Sequence, residues 1–390
     1  MNSMRFKVRP FERGVDTKMD SKTARNIPLV VPQFDDEMET AAVNALRNER
    51  AVLGEDVFKF EGEFARYVGT KYAVSTSSGT NALHIALLAL GIGKTHRVIT
   101  SPFSFVASAN TILHAGAVPA FSDIERRTFN IDPAKIEQGI TEKTRAIVPV
   151  HLFGYPCEMR EIKELADDRG LRVVEDACQA HGAVYCGQKV GAIGDAGCFS
   201  FYPSKNMTVC GDGGMIVTND EDVAKLAAKL RDCGRKTRYE HDVIGYTSRL
   251  NTVNAAIGRV QLRRLEEWNR SRVERGLMYD KLLSDVEGVE LPPKGDSEVK
   301  PVYHLYVIKA KKRDGLSAWL LQNGVQCAVH YPLPIHLQPI YRQLFNFKAG
   351  DYPVSEQVSE RCLSLPMHPL LGESDIKYVC EKIREFYRAT

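Results

Sequence analysis

The sequence contains no long hydrophobic run and no two cysteines in a Cys-X-X-Cys spacing. No apolar stretch approaches the roughly 18 residues that a membrane-spanning helix needs, and the amino terminus lacks the apolar core of a secretory signal. The nine cysteines are an odd number, and several of them lie inside apolar, strand-like runs. These observations predict a soluble cytoplasmic protein with reduced thiols, and they argue against a membrane protein, a disulfide framework or a zinc site.

Neither sign of charge dominates the chain. Lysine and arginine total 52 residues against 49 aspartates and glutamates, which gives a net charge of +3. This excess is too small to attract nucleic acid or an anionic membrane surface, so neither is an expected partner. Part of the positive charge lies in the first 25 residues. We therefore expect residues 1–26 to form an N-terminal arm that is flexible and solvated.

The composition is that of a globular protein with a large core. Hydrophobic residues make up 44% of the 390 residues and charged residues 26%, which excludes disordered and fibrous proteins. Between residues 70 and 220, short apolar runs typical of strands alternate with helical patterns. This alternation predicts an α/β fold with a seven-stranded, mostly parallel sheet that is covered on both faces. The predicted strands are residues 72–77, 97–101, 118–123, 144–153, 171–176, 196–202 and 214–218.

The last third of the chain has a different pattern. A long helical pattern runs from Val253 to about Val286, and strands are expected beyond it at residues 303–308 and 325–330. We therefore predict a large domain over residues 27–262 and a small C-terminal α+β domain over residues 263–390.

Polar residues that follow the predicted strands are the candidates for function, because functional groups in a parallel α/β sheet collect at the carboxyl ends of strands. The first strand ends in STSSGT at residues 75–80, immediately before a helix. Free amides at a helix N-terminus can seat a phosphate, although a simple N-cap gives the same pattern. Phe103 and Phe105 follow the second strand, where they are either core residues or a flat surface for a planar ring.

Two charged side chains also follow apolar strands. Asp176 ends the fifth strand, where a buried carboxylate needs a partner. That partner is either a metal ion, with His181 as a second ligand, or a protonated ring nitrogen; no further cluster with ligand spacing favours the metal. Lys205 follows the next strand and precedes a glycine-rich turn at residues 211–214. A lysine in this position is either a surface residue or an amine that forms a Schiff base.

Together, these features predict one cofactor. A phosphate seat, an aromatic surface, a carboxylate and an imine-forming lysine are the groups that pyridoxal 5'-phosphate requires. They occur in chain order on strand ends of one predicted sheet. The sequence therefore predicts a pyridoxal-phosphate enzyme, with no metal ion at the site.

A series of ordered motifs extends from Ile27 to the carboxyl terminus. The motifs are GEDVFKFE at residues 54–61, SGTNAL at 78–83, SPFSFVAS at 101–108, HLFGYP at 151–156, VEDACQAHGA at 174–183, SFYPSKN at 200–206, GDGGMIVTN at 211–219, HYPLPIH at 330–336 and LSLPMHP at 363–369. In these motifs and their spacing the chain resembles the DegT/DnrJ/StrS-type sugar aminotransferases. The resemblance implies the fold of fold-type-I pyridoxal-phosphate enzymes, with a large domain and a small C-terminal domain.

The resemblance implies roles for individual residues around the cofactor. Lys205 would hold pyridoxal phosphate as an internal aldimine and would then move the proton between the two reacting carbons. Asp176 would pair with the pyridine nitrogen and keep it protonated. Gln179 would lie against the 3-hydroxyl of the ring, and Phe105 would cover one ring face. The phosphate would be held by Gly79, Thr80 and Ser200.

The resemblance also implies a homodimer in which a Gly-X-Asn-X-Arg segment of each subunit completes the active site of the other. Here that segment is residues 245–249, and Thr247 stands in place of the asparagine. Thr247 would donate one hydrogen bond to the phosphate. Arg249 would either hold the carboxylate of the amino donor or serve as a structural arginine at the interface. His330 and Tyr331 would lie on the small-domain side of the substrate pocket.

The implied reaction is a transamination from L-glutamate or L-glutamine to a ketosugar carried on a nucleotide diphosphate. The sequence Ser248-Arg249-Leu250 resembles members that aminate C-3 of the sugar more than those that aminate C-4. One alternative is an aminotransferase for a cyclitol or another cyclic ketone. Another is a sugar dehydratase, although those relatives carry histidine where Lys205 stands. A regulatory protein without activity on the same scaffold is the third, and the intact pair of Lys205 and Asp176 argues against it.

Overall fold

A computed structural model describes residues 25–389 of the chain, so residues 1–24 of the predicted N-terminal arm lie outside the described residues. The helices of the described part are α1 (Asp36–Asn48), α2 (Glu55–Val68), α3 (Gly79–Ala89), α4 (Ala107–His114), α5 (Pro133–Ile136), α6 (Met159–Arg169), α7 (Glu221–Arg231), α8 (Thr252–Leu283), α9 (Arg313–Gln322), α10 (Pro339–Phe345), α11 (Pro353–Arg361) and α12 (Glu373–Ala389). Its strands are β1 (Tyr72–Thr76), β2 (Arg97–Thr100), β3 (Val118–Phe121), β4 (Thr144–Val148), β5 (Arg172–Asp176), β6 (Val184–Tyr185), β7 (Gln188–Lys189), β8 (Ala196–Ser200), β9 (Gly214–Thr218), β10 (Val289–Glu290), β11 (Val299–Lys300), β12 (Tyr306–Ala310) and β13 (Cys362–Leu365).

The main sheet contains seven strands in the order β1-β9-β8-β5-β4-β2-β3. Its pairings are parallel except around β9, which runs antiparallel to both β1 and β8. Each of the seven predicted strands corresponds to one strand of this sheet, and the prediction of a mostly parallel α/β sheet is confirmed. Because β1, β2, β4, β5 and β8 share one direction, their carboxyl ends lie along the same edge.

Two hydrophobic clusters cover the two faces of this sheet. Successive residues of a strand point to opposite faces, so Val173 packs with α2 and α6 while Val174 packs with α3 and α7. Burial on both faces explains why the central strands are continuous apolar runs instead of alternating patterns. The polar residues at the strand ends therefore stand out in the sequence.

The carboxyl-terminal part forms a separate antiparallel sheet in the order β10-β12-β13, which packs against α9, α12 and the end of α8. The predicted boundary after residue 262 falls inside α8, which is continuous from Thr252 to Leu283. The division into two domains therefore stays a prediction. The strand expected at residues 325–330 was wrong, because that segment forms only isolated bridges, between Ile27 and Val325 and between Ala328 and Ser364.

The core on the α2 face generates a prediction about stability. Phe64 is fully buried, and its ring centroid lies 5.0 Å from that of Phe199 and 5.4 Å from that of Phe201. We expect Phe64→Ala to lower the free energy of unfolding by about 3–5 kcal/mol, because the emptied volume is not refilled. Phe58→Ala on the same helix is the matched control, since Phe58 is 53% exposed; a change within about 0.5 kcal/mol is expected. Equal losses in denaturant titrations of the two variants would contradict this assignment of the core.

Candidate active site

A cavity of about 550 Å³ lies at the carboxyl ends of the main-sheet strands. Side chains that follow four of these strands line it, together with residues from the carboxyl-terminal part of the chain. Nine of the eleven predicted site residues line this cavity: Gly79, Thr80, Phe105, Asp176, Gln179, Ser200, Lys205, His330 and Tyr331. The structure thus brings together residues that are up to about 250 positions apart in the sequence.

The first turn of α3 forms one wall of the cavity. Ser78 is the N-cap of this helix, and its Oγ accepts a hydrogen bond from the Asn81 amide at 3.1 Å. The amides of Gly79 and Thr80 have no acceptor among the described residues. A Cβ atom on Gly79 would lie 2.6 Å from Cβ of Ser200, so only glycine allows the helix to approach the end of β8 this closely. One turn therefore contains both an N-cap and two free amides of the kind that can bind an anion.

Asp176, the last residue of β5, is 5% exposed and faces the cavity. Its Oδ2 accepts a hydrogen bond from Ser108 Oγ at 2.7 Å, and its Oδ1 accepts one from the Cys178 amide at 3.2 Å. Ser108 is itself hydrogen-bonded to Ser104 at 2.9 Å. Within residues 25–389, no group of three or more histidine, cysteine, aspartate or glutamate side chains is arranged to hold a metal ion. Each carboxylate oxygen of Asp176 thus accepts one hydrogen bond, from Ser108 and from the Cys178 amide.

Lys205 lies in the turn after β8, where its amide donates to the carbonyl of Tyr202 at 2.8 Å. Among the described residues, its Nζ has no hydrogen-bond or ion-pair partner. Burial lowers the pKa of Lys205, against the opposing attraction of Cys178 and Asp176. A lowered pKa leaves more of the amine in the neutral form, which is the nucleophilic form.

Gln179, Tyr331 and Phe105 also line the cavity. Gln179 Oε1 accepts from the amide of Phe153 at 2.9 Å, and its Nε2 donates to the Tyr331 hydroxyl at 3.1 Å. Phe105 is 56% exposed although it lines the cavity, whereas Phe103 is fully buried. The two aromatics therefore divide the roles that the sequence left open, with Phe103 in the core and Phe105 at the site.

These features fit pyridoxal phosphate. The free amides of Gly79 and Thr80 suit an anion, and the absence of a Cβ at Gly79 lets this turn lie against Ser200, which lines the same cavity. On the same cavity, Asp176 offers a carboxylate and Lys205 an unpaired amine. This set of donors and acceptors satisfies a phosphate, a ring nitrogen and an aldehyde at once.

Thr247 and Arg249 do not line the cavity of their own chain. Thr247 Oγ1 lies 3.3 Å from Sγ of Cys233, and Arg249 Nη1 donates to Oδ1 of Asp232 at 2.9 Å. The other donors of the Arg249 guanidinium have no partner among the described residues. Both residues therefore lie outside the group that the cavity brings together.

The cavity also contains residues that the sequence analysis did not single out. Ser108 lies inside the SPFSFVAS motif and in the first turn of α4, the helix that follows β2, so the sequence did contain a signal for it. Leu29 and Val30 gave no such signal, because they precede α1 and belong to no pattern. The backbone of Leu29 is held by Met367 and Gln326, which places this stretch across the cavity.

Comparisons with known proteins agree with this geometry. Residues 32–384 match the model of the DegT/DnrJ/EryC1/StrS aminotransferase family. The chain is similar to a "Pleiotropic regulatory protein" of Geobacillus stearothermophilus, with 43% identity over 93% of this chain and 99% of that protein. It is also similar to a UDP-N-acetyl-3-dehydro-alpha-D-glucosamine 3-aminotransferase of Acidithiobacillus ferrooxidans, with 40% identity over 90% of this chain and 93% of that one. A crystal structure of S. venezuelae DesV in complex with a ketimine intermediate is 38% identical, covers 90% of this chain and 94% of that chain, and has a TM-score of 0.88.

Three histidines with lowered pKa values generate a prediction about pH. Burial lowers the pKa of His181 to about 3 and the pKa values of His330 and His368 to about 4. An unfolded histidine titrates near pH 6.5, so between this pH and about 4 the unfolded chain binds more protons than the folded chain. We therefore expect the free energy of unfolding to fall as the pH is lowered through this window. The measurement is denaturant unfolding at a series of pH values.

His330→Gln isolates one of these groups. We expect this variant to take up about one proton fewer on unfolding near pH 5 than the wild type, which flattens the pH dependence. Glutamine can keep a hydrogen bond to Ser364 Oγ, which lies 2.8 Å from Nδ1 of His330. If the free energy of unfolding had the same pH dependence in the wild type and in His330→Gln, then His330 would titrate alike in the folded and unfolded chains, and this prediction would be wrong.

Proposed function

Because this chain belongs to the DegT/DnrJ/EryC1/StrS aminotransferase family, we propose that it transfers an amino group from L-glutamate or L-glutamine to a nucleotide-linked ketosugar. The protein is a pyridoxal-phosphate-dependent aminotransferase. The observation that carries the proposal is the presence of Lys205 and Asp176 on one cavity, with a phosphate seat beside them. A cavity of about 550 Å³ has the size of a site for a cofactor and a small-molecule substrate.

We assign the chemistry of the site to the following residues. When bound, pyridoxal phosphate supplies an electron-accepting ring. Lys205 would bind it and would carry the proton between donor and acceptor carbons, for which its lowered pKa is suited. Asp176 would hold the ring nitrogen, Gln179 the 3-hydroxyl, and Phe105 would cover one face of the ring. The phosphate would be bound by Gly79, Thr80 and Ser200.

The acceptor is proposed to be a 3-ketosugar. The relative from Acidithiobacillus ferrooxidans is named as a 3-aminotransferase that acts on a UDP-linked 3-dehydro sugar. The sequence Ser248-Arg249-Leu250 supports the same ring carbon. His330 and Tyr331, which reach the cavity from the carboxyl-terminal part of the chain, would contact the sugar. The aliphatic side chains of Leu29 and Val30 would form the apolar part of the same wall.

The alternatives explain the site less well. The family resemblance implies that dehydratases carry histidine at the position of Lys205, whereas this chain has lysine there. The name of the Geobacillus relative supports a regulatory role, but a regulatory protein has no need of an unpaired amine beside a buried carboxylate. Amination of a cyclitol would use the same residues, and the named substrate of the Acidithiobacillus relative is what favours a sugar.

We further propose a cytoplasmic homodimer with shared active sites. Thr247 and Arg249 lie outside the cavity of their own chain, and neighbouring Tyr239 and Ile244 are 81% and 90% exposed. Large exposed apolar residues beside a polar segment are typical of a protein interface. In the dimer, Thr247 would donate to the partner's phosphate and Arg249 would hold the donor carboxylate.

All nine cysteines have free thiols, in keeping with a reducing compartment. No helix among residues 25–389 has the length and hydrophobicity to cross a membrane.

The proposed reaction predicts two spectral changes. L-Glutamate or L-glutamine should discharge the visible absorbance of the enzyme loaded with pyridoxal phosphate, because the amino group passes to the cofactor. A nucleotide-linked 3-ketosugar should then restore that absorbance and yield the 3-amino sugar, which mass spectrometry can identify. The matched control is the 4-ketosugar on the same nucleotide. Faster turnover of the 4-ketosugar would contradict the choice of ring carbon, and no response to either amino donor would contradict the transamination.

Lys205→Ala tests the residue on which the proposal depends. We expect a loss of turnover greater than about a thousandfold with an unchanged fold, because no other amine lines the cavity among the described residues. Lys225→Ala is the control, since Lys225 is an exposed lysine paired with Glu221 on α7. Steady-state rates and circular dichroism of both variants are the measurements. Multiple turnovers by Lys205→Ala would remove Lys205 from its role.

A further inference from the structure

A buried ion pair holds the strand that leads into the phosphate seat. Glu61 on α2 and Arg231 on α7 form this pair, and both side chains are nearly inaccessible to solvent. Between them lies Ser75 of β1, whose amide and Oγ donate to Oε1 of Glu61 at 2.9 and 2.7 Å. Arg231 Nη1 donates to the carbonyl of Ser75 at 2.8 Å. A buried pair with this many hydrogen bonds fixes the groups that it contacts.

A second set of hydrogen bonds continues from this pair to the first turn of α3. The amide of Ser248 donates to the carbonyl of Arg231 at 2.9 Å, and the carbonyl of Ser248 accepts from the amide of Ser77 at 2.9 Å. The hydroxyls of Ser77 and Ser248 are hydrogen-bonded at 3.2 Å. Asn81 Nδ2 donates to Ser77 Oγ at 2.7 Å. Ser77 is therefore joined both to α3 and to the segment of residues 245–249.

The same segment packs along α3 beyond this point. The ring of Tyr246 lies edge-on to that of His84, with centroids 4.8 Å apart. Gly245 approaches the backbone of Gly234 so closely that a Cβ atom would lie 2.0 Å from the Gly234 amide nitrogen. The segment is thus held on one side by its own loop and on the other side by α3.

From these contacts we infer that Ser77 and Ser248 are positioning residues for the phosphate seat of their own chain. Neither residue lines the cavity. They fix the turn that presents the free amides of Gly79 and Thr80, and amides that are already oriented bind an anion without a cost of reorganisation. The inference rests on the proposed function, since it needs a phosphate-bearing cofactor in this cavity. It assigns the segment of residues 245–249 a role in the active site of its own chain. This role is separate from the proposed contact of Thr247 with the phosphate bound by the partner chain.

The test compares pyridoxal phosphate with pyridoxal, which lacks the phosphate. In Ser248→Ala we expect the affinity for pyridoxal phosphate to fall about fivefold, the effect of one hydrogen bond, while the affinity for pyridoxal changes less than twofold. Ser77→Ala should have a larger effect, because Ser77 Oγ also binds Asn81. The double variant should match Ser77→Ala, since the hydroxyl of Ser248 has Ser77 as its bonded side-chain partner. Both affinities are measured by absorbance titration of the apoenzyme.

Two further variants make the comparison specific. Ser122→Ala is the matched control for Ser248→Ala, because Ser122 is buried like Ser248 but its Oγ has no hydrogen-bond partner among the described residues. Ser248→Cys keeps nearly the same volume and a weaker hydrogen-bonding group, so a loss smaller than that of Ser248→Ala is expected. It also serves as the second variant if the alanine substitution disturbs folding.

Mixed dimers separate an effect within the chain from an effect on the partner. In a dimer of one Lys205→Ala chain and one Ser248→Ala chain, lysine-bound cofactor forms only in the chain with the altered serine, and weaker binding is expected. When both substitutions lie in the same chain and the other chain is wild type, wild-type affinity is expected. The opposite result would move the role of Ser248 to the partner's site.

The outcomes distinguish this inference from the proposed function. If the wild type binds pyridoxal phosphate but Ser248→Ala and Ser77→Ala leave its affinity unchanged, or weaken pyridoxal equally, then the positioning role is wrong and the proposed function stands. If the wild type binds no pyridoxal phosphate, the proposed function fails and the inference fails with it.

Discussion

Asp176 is a carboxylate that the fold removes almost completely from solvent. The chain satisfies it less fully than it satisfies Glu175, the preceding carboxylate on the opposite face of β5. A buried charge without partners costs several kcal/mol. Its neighbour Glu175 points to the opposite face and is fully buried. Glu175 accepts from the amides of Gly191, Ile193 and Gly194, and it is bonded to His151 Nε2 at 3.0 Å. Asp176 accepts only two hydrogen bonds among the described residues, from Ser108 and Cys178. One carboxylate is thus satisfied by the chain itself, whereas the other keeps capacity for a donor that enters the cavity.

The pKa values of the side chains around Lys205 are also set mainly by burial. Burial lowers the pKa values of His181, His304 and His330, and the nearby charge of Lys205 lowers each of them further. These imidazoles are therefore neutral near pH 7 and add no competing cations beside Asp176. Burial also lowers the pKa of Lys205 itself, so a larger fraction of this amine is neutral than of an exposed lysine. The packing that buries these side chains is thus also the main cause of their lowered pKa values.

The part of the site that was predictable from sequence is the part that follows strands. Apolar strands buried on both faces leave a clear pattern, so a polar residue at the end of one, such as Asp176 or Lys205, is conspicuous. Leu29 and Val30 were not predictable, because their place in the cavity depends on backbone hydrogen bonds to residues nearly 300 or more positions away. The expected strand at residues 325–330 failed for a related reason. Its backbone pairs with Ile27 and with Ser364 of β13 at single bridges, so no continuous ladder forms. The strand-end pattern predicted the roles of Asp176 and Lys205, whereas the family resemblance supplied those of Gln179, Ser200, Thr247, Arg249, His330 and Tyr331.

The presence of threonine at position 247 is explained by which chain would supply most of the hydrogen-bond donors to the phosphate. An asparagine amide offers two hydrogens to an acceptor, whereas a threonine hydroxyl offers one. In the proposed site, the chain that binds the phosphate would itself provide the free amides of Gly79 and Thr80 and the hydroxyls of Thr80 and Ser200. In the proposed dimer, a phosphate there would depend mainly on donors from one chain, and the partner would add a single bond. Binding then depends on how rigidly the first turn of α3 is held, because several weak donors act together only when they are oriented in advance. The buried pair of Glu61 and Arg231 and the contact between Ser77 and Ser248 supply that rigidity.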